Sequence, residues 1–209
     1  QLTNLNGALL AQLDPVTFQK FSFKGANNDT VWGWTLKPAN VTPPLPISFV
    51  VHGGPQGSFN NSWSYRWNPR LFSAPGYAVV SVDFHGSEGY GQAFTDASHQ
   101  NWGGWPLEDL QKGRSEASAH DPQRQADNAC ALGGSYGGYM MNWIEGNWPD
   151  RFKCIIQHDG VFDARAMAYE TEELWFDEWE HGQHPYYEAP QEFEKWNPVN
   201  FVKNWRTPQ

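Results

Sequence analysis

One passage, ALGGSYGGYMMNW from Ala131 to Trp143, restricts the folds open to this chain more than any other. Gly133-Gly134-Ser135-Tyr136-Gly137 reads G-x-S-x-G, with a strand-like run before it and a helical pattern after it. In that setting the short pattern marks a strand turning abruptly into a helix. A serine on so sharp a turn must adopt a strained backbone, and the positions two before and two after it must lack side chains so that strand and helix can pass closely. The helix N-terminus then aims free N–H groups at the reacting oxygen. Glycine-rich strand-to-helix turns also hold phosphates, but a P-loop needs Lys after its glycines and a dinucleotide turn needs G-x-G-x-x-G. Neither is present, so Ser135 is read as a nucleophile.

The remaining pattern supplies a sheet around that turn. Thr17 to Phe23 and Val31 to Pro38 alternate on either side of KGANND, which predicts an antiparallel hairpin. ISFVVH (from Ile47) and YAVVSVDF (from Tyr77) are continuous apolar runs of the kind buried on both faces of a parallel sheet, and both end in glycine-rich loops. Pro106 to His120 opens with Pro and carries Leu107, Leu110 and Ala117 at near-helical spacing, predicting a helix. NACALGG and KCIIQHDG are two further strands, joined through the helix after Ser135 into a β-α-β unit. Val161 to Gln209, rich in Trp, Glu, His and Pro, reads as loops and short helices over one end of the sheet. The class is α/β.

With 209 residues the chain can organise one sizeable core, and 14 Lys and Arg against 23 Asp and Glu leave a formal net charge of -9. That balance removes the basic footprint of a nucleic-acid binder and repels anionic membranes. No apolar run approaches the roughly 20 residues that span a bilayer. The chain opens at Gln1 without a Met or a basic-then-apolar leader, as a processed product or a fragment would. Sequons at Asn28, Asn40 and Asn60 point to a secreted or periplasmic, glycosylated protein. Cys130 and Cys154, both in strand-like runs, are expected to be a pair of buried free thiols rather than a disulfide.

Acyl transfer also needs donors for the developing oxyanion. His52-Gly53-Gly54-Pro55 closes the first parallel strand with two unobstructed amides, as in lipase and esterase oxyanion loops, and Gly54 N–H with Tyr136 N–H is the expected pair. His52 is expected to hold this loop rather than to catalyse.

Four stretches together resemble the C-terminal hydrolase domain of the prolyl oligopeptidase family: FVVHGGPQGSFNNSWSYRWNP, VDFHGSEGYGQAFTD, GGSYGGYMMNW and HDGVFD…TEELWF. Within that family they are most similar to the secreted dipeptidyl-peptidases of fungi and their bacterial relatives, from about Phe18 to the last residue. The resemblance implies an α/β-hydrolase fold, a mostly parallel sheet with helices on both faces, that ends short of its C-terminus. It also implies a serine exopeptidase releasing N-terminal dipeptides from small peptides, with no cofactor, behind a β-propeller that these residues do not contain. Family members carry Ser, Asp and His in that order, and the stretch like NPVNFVKNWRTPQ precedes the acid. The resemblance therefore places the triad Asp and His outside this chain, which alone should turn over poorly.

Alternatives stay open. His158, Asp159 and Asp163 could offer an acid after the last strand, with His181 or His184 as base. Against this, Asp159-Gly160 reads as a turn and EHGQHP as loop surface, and the same histidines with Glu180 match no usual zinc spacing. A peptidase reading a free N-terminus needs a carboxylate for the ammonium, and Glu172 and Glu173 are the candidates, with Glu88 near the same face. The Trp175 to Trp196 segment is either a pocket lining or ordinary cover. An acylaminoacyl-peptidase or carboxylesterase would use the same Ser135, and a truncated, non-catalytic fragment is a third reading.

Overall fold

The computed structural model describes residues 2–60, 64–121 and 124–209. Six strands form one sheet: β1 (Val16–Lys24), β2 (Thr30–Pro38), β3 (Leu45–Val51), β4 (Ala78–Asp83), β5 (Arg124–Gly134) and β6 (Cys154–His158), in the order β1-β2-β4-β3-β5-β6. β1 and β2 are the predicted hairpin, and β2 is also antiparallel to β4. The β4-β3-β5-β6 half is parallel throughout. That half is where the sequence runs apolar without alternation, because both faces are covered.

Alternation within β3 and β4 sends side chains to two layers. Ile47, Phe49, Val51, Val80 and Val82 face the larger core, which includes Leu110 and Ala117 of the Trp105–Ala119 helix and Tyr139, Met140 and Ile144 of the Tyr136–Asn147 helix. Val50 and Val79 face the other way, with Leu36, Leu132 and Phe72 of the short Pro69–Ser73 helix. Helices therefore lie on both faces. The Tyr136–Asn147 helix is buried along almost its entire length, which explains why its sequence is mostly apolar and carries no exposed polar stripe. Three short helices, Ala164–Glu170, Leu174–Glu180 and Pro190–Glu194, and a 3-10 segment at Pro198–Asn204 follow β6, as the irregular pattern there suggests. Among the described residues no helix is long and apolar enough to cross a membrane.

The cysteines correct an expectation. Cys130 and Cys154 are register partners on β5 and β6, with Cα atoms 4.7 Å apart, and form a disulfide. Both positions were legible as strand residues; that two parallel strands would set them side by side was not. The bond staples the strand that leads into Ser135 to its neighbour.

Three buried acids tie loops to the sheet. Asp109, on the Trp105–Ala119 helix, accepts from Ala26 N (2.7 Å) through one oxygen and from His85 N (2.7 Å) through the other. Its second oxygen also lies 2.6 Å from His85 Nδ1, while His85 Nε2 lies 3.3 Å from Asp29. A carboxylate at each ring nitrogen favours the doubly protonated ring, in which both nitrogens donate. Burial opposes the charge, but Asp109 and Asp29 outweigh it and raise the pKa. At the other end of the sheet Glu145 Oε1 accepts from Arg206 N and Thr207 N, both at 2.6 Å, and Pro208 O accepts from Ile155 N at 2.9 Å. These bonds lay residues 206–208 along the β6 edge. Asp83, the third acid, is taken up below.

Two outcomes are expected. Replacing both cysteines by Ser should cost about 3 kcal/mol, from the unfolded-state freedom of a loop this long, read as a lower urea midpoint; identical midpoints with and without reductant would contradict the staple. Because the folded pKa of His85 lies above its unfolded value of about 6.5, its stabilisation is complete below that pH and lost as pH rises through the folded value. The melting-temperature gap between wild type and His85→Gln should therefore narrow with rising pH, and a gap that is flat or widens would refute the charged pair.

Candidate active site

β5 ends at Gly134 and the next residue, Ser135, takes φ 57° and ψ −122° before the helix begins at Tyr136. A non-glycine residue held there costs on the order of 1–3 kcal/mol, so the surroundings must enforce it. They do so through the backbone: Ser135 N donates to His158 O at 3.0 Å, and Ser135 O accepts from Tyr139 N at 2.9 Å. The close pass that the glycines were expected to permit is present. A Cβ on Gly133 would lie 2.5 Å from Gly137 O, and one on Gly137 would strike Val51 O. Gly138 packs as tightly, a Cβ there lying 2.6 Å from His158 O and 2.7 Å from Gly160 Cα.

Ser135 is exposed, and its residue opens on a cavity of about 530 Å³ at the C-terminal ends of β3, β5 and β6. Gly53, Phe59, Trp67, His158 and Asp159 share its wall. The His52-Gly53-Gly54 loop closes on the serine: a Cβ on Gly53 would stand 3.2 Å from Ser135 Cβ and 3.7 Å from Oγ. Gly54 follows at φ 126°, a conformation that favours glycine. The first helical bond runs from Tyr139 N to Ser135 O, so the amides of Tyr136 to Gly138 have no helical acceptor. The Tyr136 side chain itself is buried, its hydroxyl donating to Trp102 O at 2.5 Å, which leaves only its backbone facing the serine turn.

His52 acts as a tether. Its Nδ1 donates to Gly53 O and its Nε2 accepts from Ser87 Oγ, both at 2.8 Å, with the ring stacked on Phe84 at 4.3 Å. Burial pushes its pKa down, consistent with the neutral ring that this pairing requires.

The other sequence-derived candidates disperse. Glu172 and Glu173 are exposed at the start of the Leu174–Glu180 helix, and neither lines the cavity at Ser135. Glu88 is exposed too and meets the His52 loop through its backbone, donating to Gly57 O at 2.9 Å. His181, expected on a loop surface, is 2% exposed: it contacts Asp177 O at 2.8 Å and stacks on Phe193 at 4.3 Å. Adjacent apolar residues of distant segments bury it, which local composition does not reveal. His184 is exposed and outside the cavity wall. Asp163 caps the Ala164–Glu170 helix through Arg165 N at 3.0 Å, and Arg165 and Asn197 hold its pKa down against the opposing effect of burial. Asp159 turns the chain at φ 47°, as its Asp-Gly sequence suggested, and lies 3.4 Å from His158 Nδ1. In the Trp-rich segment Trp196 packs against the core while Trp175 and Trp179 are exposed, and none of the three lines the cavity. The sequon at Asn60 lines the cavity, but its Asn61 and Ser62 lie outside the described residues.

Sequence reasoning missed Asp83. It is wholly buried at the end of β4, where its carboxylate reaches Ser58, Phe59 and Tyr90. The only available signal was an acid closing an otherwise apolar strand.

Known proteins resemble this chain in sequence and in fold. Dipeptidyl-peptidase 5 of Schizosaccharomyces pombe is 40% identical over 200 residues, covering 94% of this chain and 29% of that protein. Dipeptidyl-peptidase 5 of Aspergillus fumigatus is 40% identical over 192 residues, or 90% and 26%. The chain thus spans less than a third of the curated relatives it matches. Acylaminoacyl peptidase of Pyrococcus horikoshii superposes over the whole chain and 33% of its own, with a TM-score of 0.88 and 29% identity. The family model described as the prolyl oligopeptidase family matches residues 63–209, from the Ser135 cavity wall through the segments after β6. By that match this chain, an α/β-hydrolase domain, belongs to the prolyl oligopeptidase family of serine peptidases.

Proposed function

We propose that these residues form the nucleophile half of an exopeptidase site that releases dipeptides from the free N-terminus of small peptides. Ser135 attacks the scissile carbonyl to form an acyl-enzyme, and the amides of Gly54 and Tyr136 stabilise the oxyanion. The observation that carries this reading is the strained Ser135 turn facing the His52-Gly53-Gly54 loop, in a chain 40% identical to dipeptidyl-peptidase 5.

The triad acid and base are proposed to lie outside these 209 residues. Support comes from the seven histidines. His52 is tethered, His85 is locked between Asp109 and Asp29, His181 is buried, and His99 stacks on Trp179 at 5.0 Å. His120 pairs with Glu116 at 2.6 Å, and His184 is away from the cavity. His158 shares the cavity wall, but among the described residues its ring makes no hydrogen bond to Ser135: Nδ1 lies 3.4 Å from Asp159 and the ring stands edge-on to Trp67 at 6.0 Å.

A secreted or periplasmic setting is part of the proposal. The Cys130–Cys154 disulfide supports it, since such bonds persist in oxidising compartments, and so does the exposure of Asn28 and Asn40. The overall likeness to an acylaminoacyl peptidase favours one competing reading, in which the substrate's N-terminus is blocked.

In the full-length gene product, Ser135→Ala should abolish both hydrolysis of dipeptidyl p-nitroanilides and labelling by a fluorophosphonate probe. Retained labelling would rule out Ser135 as nucleophile. Faster turnover of N-acetylated than of free substrates would transfer the assignment to the acylaminoacyl reading. The 209-residue chain by itself should turn over about a millionfold more slowly, the loss expected without the base; comparable rates would point to His158 or another histidine within it.

A further inference from the structure

The loop that carries Gly53 and Gly54 to Ser135 has no regular structure of its own from His52 to Asn60. Most of its anchors come from one place, the end of β4 and the glycine-rich stretch after it. Asp83, fully buried, accepts from Phe59 N at 2.8 Å, from Ser58 Oγ at 2.8 Å and from Tyr90 OH at 2.5 Å. Ser87, also fully buried, donates to His52 Nε2 at 2.8 Å. The direction follows from the ring: Nδ1 must donate to the Gly53 carbonyl, so Nε2 is the acceptor. Glu88 N donates to Gly57 O at 2.9 Å. A further anchor is Gln56, whose side chain donates to the buried Glu180 at 2.7 Å.

The stretch His85–Gly91 can reach across because Gly86, Gly89 and Gly91 all sit at positive φ, 109°, 94° and 98°. It folds back so that Ser87 and Tyr90 meet partners at two different points. Nothing in acyl transfer itself calls for the HGSEGYG motif, yet its hydroxyls end on the residues that orient the oxyanion loop.

We propose that Ser87, Tyr90 and Asp83 are positioning residues for the oxyanion site. They act through His52, Ser58 and Phe59 to hold the Gly53 and Gly54 amides against Ser135. This rests on the peptidase reading above. An oxyanion donor contributes only if it is already aimed before the charge develops, and a loop without regular structure must borrow that rigidity from its neighbours.

The test uses Ser87→Ala, Ser87→Thr and Tyr90→Phe in the full-length gene product. With a dipeptidyl p-nitroanilide, Ser87→Ala and Tyr90→Phe should lower kcat roughly ten- to a hundredfold with KM changed less than about threefold, as expected for a misplaced donor. Ser87→Thr, which keeps the hydroxyl, should retain most of the wild-type kcat. Affinity for a dipeptidyl boronate, which presents the tetrahedral oxygen, should fall in step with kcat. Unchanged kcat in Ser87→Ala and Tyr90→Phe overturns the proposal, as does a loss that Ser87→Thr fails to rescue. Amide hydrogen exchange of residues 52–60 is a second readout that does not depend on turnover. It should quicken in Ser87→Ala while that of residues 136–147 stays as in wild type, and equal rates in both proteins overturn the brace. If the wild type neither turns over nor takes a fluorophosphonate, the peptidase reading fails, and exchange alone decides whether the brace exists.

Discussion

The close pass of β5, the turn at Ser135 and the helix behind it is the constraint to which the rest of this domain answers. A serine at positive φ is unfavourable by itself, and it stays there only because the backbone on every side leaves no alternative. Gly133 meets Gly137, Gly137 meets β3 at Val51, and Gly138 meets Gly160 beyond β6. Three elements that are distant in sequence are thus pressed together where side chains are missing. The helix that results is buried nearly all round, so its apolar face cannot be separated from the sheet without exposing the whole core.

Buried carboxylates do the corresponding work for the loops. Asp83, Asp109 and Glu145 each accept from backbone amides that have no partner within a helix or strand ladder. A buried amide without a partner is costly, and a charged acceptor makes a stronger bond than a neutral one. One acid can therefore fix a loop that has little apolar surface to bury. The same logic explains how loops near Ser135 that are polar and glycine-rich are still anchored to the sheet.

Electrostatics divides the histidines by role. Burial, with a carbonyl on one side and a hydroxyl on the other, biases His52 toward the neutral ring, while two carboxylates bias His85 toward the charged one. The two rings lie on adjoining loops, and their partners rather than their sequence neighbours set their state.

The hairpin, the apolar parallel strands, the Ser135 turn and the glycine-rich His52-Gly53-Gly54 loop were legible because each leaves a local signature. Period-two alternation, unbroken apolar runs and glycine on both sides of a serine are demands of covalent geometry and short-range sterics. Tertiary structure alone decided what depends on register and distance. It paired Cys130 with Cys154, buried His181 against Phe193, left Glu172 and Glu173 away from the cavity, and brought Asp83 to the amides of another loop. Those outcomes turn on which distant segments become neighbours, and the composition of a short window carries no information about the residue that will face it across the sheet.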